Sequence, residues 1–333
     1  MTLLEVRDVT KRFEVRTRRF TRSKGTLTAV KGVSLQIERG ETLGLVGESG
    51  CGKSTLGRIV VRLLEPSSGE VRLSGMLHDS DDPVLRRSVQ IIFQDPYTSL
   101  PPKMTVGRIL AEPLLIHEIV PERQIESRVQ QLLADVGLKP EHARSYASEL
   151  SGGQRQRVSI ARALAVEPEL IVADEAVSAL DVSVQAQILN LMRDLQEQRG
   201  IAYLFISHDL GVVRYMSHRI AVMYLGEIVE LGTADDVTEK ALHPYTNALL
   251  SAVPSVHGQV SASRAESEPP DPANPPPGCP FHPRCSWAQD VCAVDSPQLI
   301  EWQRGHWAAC HFALEVFQGS KKPGYEPATR GEN

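Results

Sequence analysis

A glycine-rich segment of eight residues constrains this chain more than any other feature. Residues 47–54 read GESGCGKS; the apolar run TLGLV precedes them, and STLGRIVVRLL, with helical spacing, begins at Ser54. Between a strand and a helix, the spacing GxxxxGK[ST] lets backbone N–H groups surround phosphate oxygens at the positive end of the helix dipole. We therefore predict a phosphate-binding loop in which Lys53 reaches the β and γ phosphates of a nucleotide and the Ser54 hydroxyl binds Mg²⁺.

The pattern of apolar residues between Leu3 and about Leu231 predicts the fold class. Short apolar runs alternate with longer helical stretches, and strands that are apolar throughout indicate an α/β fold with a mostly parallel sheet covered on both faces. The runs are 42–46, 89–93, 170–173, 202–206 and 219–224. Amphipathic spacing predicts helices over 121–138 and 182–199.

A pair of carboxylates follows one of the predicted strands. Asp174 and Glu175 end the apolar run 170–173. Alone, this pattern also fits a strand that runs into a solvated turn, but downstream of a phosphate-binding loop it indicates an Mg²⁺ site with an adjacent base. We predict that Asp174 holds the metal through water and that Glu175 orients and polarises the attacking water.

A second anion site is predicted upstream of that strand. Residues 150–154 read LSGGQ and precede RQRVSIARALA, a predicted helix. A serine hydroxyl, bare glycine N–H groups and a helix dipole together favour an anion. One chain then carries two phosphate sites that cannot both serve one nucleotide unless the fold brings them together. The economical arrangement is two subunits placed head to tail, each offering its second site to the nucleotide of the other.

These motifs resemble the ATP-binding subunits of ABC transporters, whose signature is LSGGQ, and the resemblance covers nearly the whole chain. It implies that Gln94 contacts Mg²⁺ and senses the membrane subunits, that Ser178–Asp181 cross a dimer interface, and that His208 contacts the γ-phosphate. Phe13 holds the usual place of the aromatic residue that stacks on adenine, with Phe20 as a rival. The catalytic residues implied are Glu175, His208 and Gln94, and the Mg²⁺ ligands are Ser54, Gln94 and Asp174. The residues implied to bind ATP are Phe13, Gly47, Ser49, Gly50, Cys51, Gly52, Lys53, Ser54, Thr55, Ser151, Gly152, Gly153, Gln154 and Asp181.

Four stretches are most similar to the oligopeptide and dipeptide importers: QDPYTSL, DEAVSALDVSVQAQILNL, HPYTNALLSAVP and NPPPGCPFHPRC. Two positions depart from the family pattern, since Ala176 replaces a common proline and Pro101 a common asparagine, but neither change removes a chemical group. The resemblance implies a P-loop NTPase fold of the ABC type, with an antiparallel β subdomain and an α-helical subdomain at about 98–160, within a nucleotide-binding domain over residues 1–240.

A small C-terminal extension is expected over residues 241–333. Its first part, about 254–278, is rich in Pro, Ser and Gly and reads as a linker. Four of the five cysteines follow, namely Cys279, Cys285, Cys292 and Cys310. Clustered thiols in a reducing cytosol point to a metal or cluster rather than disulfides. The CxxC pairs usual in zinc sites are absent and the tail resembles those of cluster-carrying relatives, so we expect a structural [4Fe–4S] cluster, with zinc and free thiols as alternatives.

The resemblance also implies a mechanism and partners. ATP binding closes two nucleotide-binding subunits, and hydrolysis assisted by Glu175 resets them. The second ATPase subunit is expected to be a heterologous paralogue, working with two integral-membrane permease subunits and an extracytoplasmic peptide-binding protein. We expect the chain on the cytoplasmic face of the cell membrane, held there through the permeases.

Charge and hydropathy argue against other classes. With 36 Lys and Arg against 41 Asp and Glu, the net charge of −5 disfavours nucleic-acid binding by broad phosphate attraction. No window approaches the roughly 20 apolar residues of a membrane-spanning helix, and the N-terminus lacks the apolar stretch of a secretion signal. Three alternatives stay open: an importer ATPase for nickel or another small solute, a soluble ABC ATPase of DNA repair or translation, and a metal-dependent regulatory module with a vestigial ATPase.

Overall fold

Two β-sheets organise the fold. The computed structural model of the protein describes residues 1–16, 24–77, 82–252 and 270–318. The strands are β1 Thr2–Arg16, β2 Lys24–Glu38, β3 Thr42–Val46, β4 Ser68–Leu73, β5 Met76–Leu77, β6 Val89–Ile92, β7 Leu170–Asp174, β8 Ala202–Ser207, β9 Arg219–Tyr224, β10 Glu227–Thr233, β11 Ile300–Gln303 and β12 His306–Ala308. The helices are α1 Lys53–Val60, α2 Pro83–Ser88, α3 Pro96–Ser99, α4 Val106–Ile116, α5 Ile125–Asp135, α6 Gly152–Leu164, α7 Val182–Arg199, α8 Leu210–Met216, α9 Ala234–Glu239, α10 Pro244–Ala252, α11 Asp290–Val294 and α12 Ala313–Phe317.

The larger sheet has the strand order β11-β12-β10-β9-β3-β8-β7-β6. Its strands from β9 to β6 pair in parallel, whereas β9, β10, β12 and β11 pair antiparallel. The strands β3, β7 and β8 are buried along their whole length, as the uninterrupted apolar runs predict for strands covered on both faces. The five predicted apolar runs coincide with β3, β6, β7, β8 and β9 to within a residue at either end.

The register of the parallel strands aligns their carboxyl ends. Val46 at the end of β3 pairs with Ser207 at the end of β8, and Asp174 at the end of β7 pairs with Ile206. Ile92 at the end of β6 pairs with Ala173. The loops that follow these four strands therefore leave the sheet along one edge, which is where ligands bind in open α/β sheets.

The smaller sheet is antiparallel, with the order β2-β1-β4-β5. Its inner residues, among them Leu4, Val6 and Ile37, form a second core with α1 and with the adjacent faces of β3, β7 and β8. The carbonyl group of Ala29, on β2, lies directly against Gly52 at the start of α1. This sheet therefore covers one side of the glycine-rich loop.

Helices occupy the segment between β6 and β7. Helix α6 packs against α3, α4, α5 and α7. The helix predicted over 121–138 forms α5, which starts after a 3-10 turn at Glu122–Gln124 and ends before Gly137, whose φ of 69° lies in the left-handed region. The helix predicted over 182–199 is α7, with Ile188, Leu189, Met192 and Leu195 buried.

The C-terminal segment adds strands to the main sheet. Strand β12 pairs with β10, placing Trp307 opposite Leu231 and Ala308 opposite Glu230, and β11 pairs with β12. The predicted linker is described only from residue 270 onward, as a loop, and residues 253–269 lie outside the described residues. The segment that carries the cysteines thus shares a sheet and a core with the rest of the chain.

A buried carboxylate joins β10 to this segment. Glu230 is fully buried, and its two oxygens accept hydrogen bonds from the backbone N–H groups of Leu242 and His243 at 2.7 and 2.9 Å. The Nε2 atom of His306, on β12, lies 2.8 Å from the same carboxylate. Burial lowers the pKa of His243 to about 3, so this imidazole is neutral, and its Nδ1 accepts the N–H of Tyr245 at 3.0 Å.

Within the described ranges, no helix is both long and apolar enough to cross a membrane.

Replacing His306 by Ala is expected to destabilise the protein by about 3–5 kcal/mol, because it removes one partner of a buried carboxylate and leaves that charge under-compensated. The free energy of unfolding, measured by urea denaturation of the full chain, checks this. The matched control is His311→Ala, at a partly exposed histidine whose ring contacts the Asp295 carbonyl and the Phe312 ring. A His306 variant as stable as this control would contradict the structural role of the Glu230 cluster.

Candidate active site

The glycine-rich loop connects β3 to α1 in a conformation that requires glycine at two positions. Gly52 caps the N-terminus of α1 with φ 110°, and a Cβ atom there would lie 2.1 Å from the carbonyl oxygen of Ala29. A Cβ atom on Gly47 would lie 2.2 Å from the carbonyl oxygen of Met223. Any side chain at either position would therefore displace the backbone of a neighbouring strand.

Lys53 is folded into this loop. It is buried, with 4% of its surface exposed, and its ammonium group donates to the carbonyls of Gly47 at 2.7 Å and Glu48 at 3.0 Å. Ser49 and Gly50 are exposed at the tip, and Thr55 is half-buried in the first turn of the helix. The loop thus places a cation and the N-terminus of α1 at one point, which is the arrangement that binds phosphate.

Cys51 fills the interior of the loop as a neutral group. Its side chain is 4% exposed, and burial raises the pKa of its thiol. Its carbonyl accepts the N–H of Gly226, in the turn between β9 and β10, at 2.9 Å. The residue therefore contributes packing and a backbone contact rather than a reactive thiolate.

The predicted Mg²⁺ ligands from two distant segments meet. The Ser54 hydroxyl donates to Oδ1 of Asp174 at 2.8 Å, which brings together groups 120 residues apart in sequence. Burial raises the pKa of Asp174, while the hydrogen bond from Ser54 and the charge of Arg58 oppose that rise. A hydroxyl and a carboxylate are the oxygen donors that Mg²⁺ takes in nucleotide sites, so these residues fit the metal.

Glu175 follows Asp174 in the chain, and its carboxylate lies close to the other two predicted catalytic residues. Gln94 donates from Nε2 to one carboxylate oxygen of Glu175 at 2.7 Å, and Nδ1 of His208 lies 3.6 Å from the other. The Glu175 side chain is 15% exposed and that of His208 58%. The backbone of Glu175 has φ 49°, an uncommon value for a non-glycine residue that is often found at active sites. A partly exposed carboxylate held by an amide donor can accept a proton from a bound water.

Phe13, the residue predicted to stack on adenine, lies on β1. It pairs with Leu27 on β2, two residues along that strand from Ala29, whose carbonyl contacts Gly52. Two residues along a strand span about 7 Å. The ring of Phe13 is half-buried, with the Lys11 ammonium 5.4 Å from its centroid, while its rival Phe20 lies outside the described residues.

The signature segment lies on the helical part of the chain. Ser151 caps α6, accepting the N–H of Gln154 at 3.3 Å, and the Gln154 side chain accepts the N–H of Ser151 at 3.0 Å. Gln154 also contacts His142. Ser151 is exposed, and Gly152 and Gly153 are partly so. The contacts of the glycine-rich loop, by contrast, run to β2, β7, β9 and α10.

Asp181 and its neighbours border Glu175. Asp181 is exposed at the start of α7, and Ser178 donates from its hydroxyl to the carbonyl of Glu175 at 3.0 Å. The segment Ser178–Asp181 is thus attached directly to the residue predicted to act as base. The Asp181 carboxylate, at the end of this segment, is exposed to solvent.

The four C-terminal cysteines lie in one region without converging on one metal ion. Backbone N–H groups point at two of the sulfurs, from Trp287 to Sγ of Cys285 at 3.3 Å and from Phe312 to Sγ of Cys310 at 3.4 Å. The N–H of Cys279 donates to the carbonyl of Cys292 at 2.8 Å. Across the ranges that the structure describes, no group of three or more His, Cys, Asp or Glu side chains is placed to hold a metal ion. The predicted metal or cluster site is therefore not confirmed.

Sequence reasoning missed the contact between the C-terminal segment and the phosphate loop. Arg284 makes a two-pronged ion pair with Glu48, inside the loop, with N–O distances of 2.7 and 2.8 Å. The Tyr245 hydroxyl accepts the backbone N–H of Glu48 at 2.8 Å. Both residues lie in stretches, HPYTNALLSAVP and NPPPGCPFHPRC, that resemble the peptide importers. Their partner could not be read from the sequence because it lies about 200 residues away.

Comparisons with known proteins agree with this geometry. Residues 30–178 match the ABC transporter family, and residues 229–292 match the oligopeptide/dipeptide transporter C-terminal region. The chain is 49% identical over 319 residues to the oligopeptide transport ATP-binding protein AppF of Bacillus subtilis, covering 93% of this chain and 97% of that one.

The chain belongs to the ATP-binding proteins of ABC transporters. It is also 46% identical over 324 residues to the di/tripeptide transport ATP-binding protein DppF of Pseudomonas aeruginosa, covering 96% and 99% of the two chains. The predicted resemblance to the oligopeptide/dipeptide branch of this ABC family is therefore confirmed. The C-terminal match ends at Cys292 and so includes three of the four clustered cysteines.

Solved structures confirm the predicted ABC ATPase fold. The cbiO1 protein of Clostridium perfringens, part of an ABC transporter complex, has a TM-score of 0.61 at 28% identity, covering 74% of this chain and 95% of that one. The ATP-binding cassette MJ0796, solved as a dimer bound to ADP and Pi, has the same TM-score at 31% identity, covering 70% and 99%. These solved structures do not support the predicted C-terminal extension held by a metal or cluster.

Replacing Glu175 by Gln is expected to preserve ATP binding and to lower the rate of hydrolysis by about 10²–10⁴-fold, because the amide keeps the shape but cannot accept a proton. Phosphate release at saturating ATP and nucleotide binding are measured on the same preparation. The matched control, Glu197→Gln on the exposed face of α7, makes the same chemical change away from the site. Normal hydrolysis by the Glu175 variant would rule this residue out as the base.

Proposed function

We propose that this chain is the ATP-hydrolysing subunit that powers the import of di- or oligopeptides through an ABC transporter. The observation that carries the ATPase activity is the convergence of Lys53, the Ser54–Asp174 pair and Glu175 at the carboxyl ends of adjacent parallel strands. Peptide as the cargo is supported by the relatives named for oligopeptide and di/tripeptide transport, and by the C-terminal region that matches peptide transporters.

The chemistry is divided among residues already in place. Lys53 and the N–H groups of Gly50–Thr55 bind the phosphates, and Phe13 stacks on the adenine. Mg²⁺, held by Ser54, Asp174 and Gln94, would offset negative charge on the β and γ phosphates. Glu175 orients the attacking water and takes its proton, while His208, more exposed than Glu175, contacts the γ-phosphate from the solvent side.

The signature segment serves a second subunit. Ser151, Gly152 and Gly153 present a hydroxyl, open backbone and a helix N-terminus, whereas the phosphate loop of the same chain makes its contacts elsewhere. The head-to-tail sandwich places this segment on the nucleotide of the partner, with Gln154 fixing the cap and Asp181 facing the interface. The related cassette MJ0796 crystallised as a dimer with ADP and Pi.

The remaining partners follow from the family. They are a second, heterologous ATPase subunit, two integral-membrane permeases and an extracytoplasmic peptide-binding protein, with this chain on the cytoplasmic face of the membrane. Exposed apolar residues on the helical part are candidates for the permease contact, namely Tyr97, Leu115 and Ile116, which are 57%, 52% and 70% exposed. In this division, residues 1–240 are the nucleotide-binding domain, with a helical subdomain at about 98–160, and residues 241–333 are the extension.

Cys279, Cys285, Cys292 and Cys310 would hold a [4Fe–4S] cluster as a structural staple, and the set of four clustered thiols supports this assignment. Backbone N–H groups directed at thiolate sulfurs are one of the means by which proteins stabilise such clusters. Burial is the main reason that the pKa of Cys310 is raised to about 12, and the neighbouring Cys285, Cys279 and Cys292 act in the same direction.

Transport is tested by co-expressing the chain with its neighbouring genes and purifying it through a tag. We expect two permeases and a second ATPase to co-purify, and di- or tripeptides with the peptide-binding protein to stimulate hydrolysis. The same complex carrying Glu175→Gln is the background control. Stimulation of hydrolysis by nickel rather than by peptides would show that nickel is the cargo. A protein that purifies without membrane partners would overturn the transport role.

Anaerobic purification tests the cluster. We expect a brown protein with about four irons per chain, and loss of colour and iron in Cys285→Ser and Cys310→Ser, because each change removes a thiolate ligand. Cys51→Ser is the matched control, since it removes a thiol outside the cluster region and should keep the iron. A colourless protein with one zinc per chain, or with no metal, would contradict the assignment.

A further inference from the structure

The phosphate loop contains one acidic side chain, and at this position its negative charge needs a neighbouring cation. Glu48 is the only acidic residue in the segment 47–55, between Gly47 and Ser49. Its own carbonyl accepts a hydrogen bond from Lys53 at 3.0 Å. A carboxylate beside a site for a triphosphate repels the ligand unless a cation neutralises it, and the repulsion is strong where water is partly excluded.

Arg284 supplies that cation from the C-terminal extension. Its guanidinium donates from Nη1 to Oε2 of Glu48 at 2.8 Å and from Nη2 to Oε1 at 2.7 Å, a two-pronged pair. The Arg284 side chain is 4% exposed and the Glu48 side chain 29%. This geometry fixes the orientation of the carboxylate as well as its charge, because the planar fork of arginine matches both oxygens.

Tyr245 holds the backbone of the same loop residue. Its hydroxyl accepts the N–H of Glu48 at 2.8 Å. The N–H groups of such a loop are the groups that surround phosphate, so the engagement of one of them by a buried tyrosine sets which others face the ligand. Glu48 is therefore held at its N–H, its carbonyl and its carboxylate at once.

Arg284 and Tyr245, which together hold Glu48, belong to a cluster of packed aromatic side chains. The rings of Tyr224, Tyr245 and Phe281 pack with centroids 4.6–5.4 Å apart, and Arg284 also donates to the hydroxyl of Tyr224 at 3.4 Å. The N–H of Arg284 bonds the carbonyl of Phe281 at 3.0 Å, which ties the arginine to the aromatic cluster. Aromatic packing of this kind leaves little freedom for the attached polar groups.

We propose that Arg284 and Tyr245 are positioning residues for the phosphate loop, through which the C-terminal extension neutralises Glu48 and sets the affinity of the subunit for ATP. The proposal rests on the assignment of ATP to the loop Gly47–Thr55. It gives the extension a part in the nucleotide site, in addition to any role of its cysteines.

The test is a titration of the full chain with Mg²⁺ and a fluorescent ATP analogue. Arg284→Gln is expected to weaken binding by about tenfold or more, because it leaves an unpaired carboxylate in the loop. Adding Glu48→Gln to that variant is expected to restore the affinity to within about threefold of the unaltered chain, since no charge is then left to repel the phosphates. Arg128→Gln, which breaks an arginine–glutamate pair away from the loop, is the matched control.

Tyr245→Phe provides a second test that does not depend on charge. It keeps the ring in the aromatic cluster and removes only the hydroxyl that accepts the Glu48 N–H, and we expect an affinity about threefold or more below that of the unaltered chain. Tyr203→Phe is its control, since Tyr203 is equally buried and its hydroxyl donates to the Met192 carbonyl, away from the loop. If Arg284→Gln does not fold, the comparison of Tyr245→Phe with Tyr203→Phe tests the proposal by itself.

The outcomes distinguish a failure of the ATP assignment from a failure of the role proposed for the extension. Normal binding by Lys53→Ala would overturn the assignment of ATP to the loop. Loss of binding in Lys53→Ala together with unchanged affinity in Arg284→Gln and Tyr245→Phe would overturn only the role of the extension. Equally weak ATP binding by Arg284→Gln and by the double variant would also contradict the proposal. In that case the ion pair would matter only for the structure, because both variants lose it and removing the charge of Glu48 does not restore the affinity.

Discussion

The parallel pairing of β3, β8, β7 and β6 is the constraint on which the rest of the structure depends. Because these strands run in the same direction and in aligned register, the loops after them leave the sheet at one edge. Those loops bring the phosphate loop, His208, the Asp174–Glu175 pair and Gln94 together from four parts of the chain. The backbone pairing is therefore responsible for the 2.8 Å contact between Ser54 and Asp174 and the 2.7 Å contact between Gln94 and Glu175.

Features encoded over short distances could be predicted from the sequence. The strand, loop and helix around Lys53 follow from residues that touch within one segment, and the apolar periodicity of α7 gives its buried face directly. Asp174 and Glu175 could be predicted from their place at the end of an apolar run, whereas Gln94 and His208 follow from the resemblance to ABC ATP-binding subunits. All four follow parallel strands, whose carboxyl ends meet at one edge of the sheet. The helix of α5 was predicted three or four residues too long at each end, since periodicity does not detect the turns that bound it.

Contacts between distant and polar segments could not be predicted. Strands β11 and β12 have only four and three residues, and the short alternation IEWQ in β11 does not identify a pairing partner, so nothing in 300–308 indicates that β12 extends the main sheet against β10. The pair between Arg284 and Glu48 joins a proline-rich tail to a glycine-rich loop 236 residues earlier. The cysteine spacing was visible, but spacing alone does not define where four sulfurs sit, and the described residues do not place them around one ion.

The proposed ATP site is thus held in place by two parts of the structure, the parallel strands and the C-terminal extension, whose Arg284 pairs with Glu48. The most direct test of the central claim is an experimental structure of the full chain with Mg²⁺ and a non-hydrolysable ATP analogue. The account predicts phosphates within Gly47–Thr55, the metal between Ser54 and Asp174, and the Arg284–Glu48 pair intact beside them. Nucleotide bound at another place, or a metal away from both Ser54 and Asp174, would contradict it.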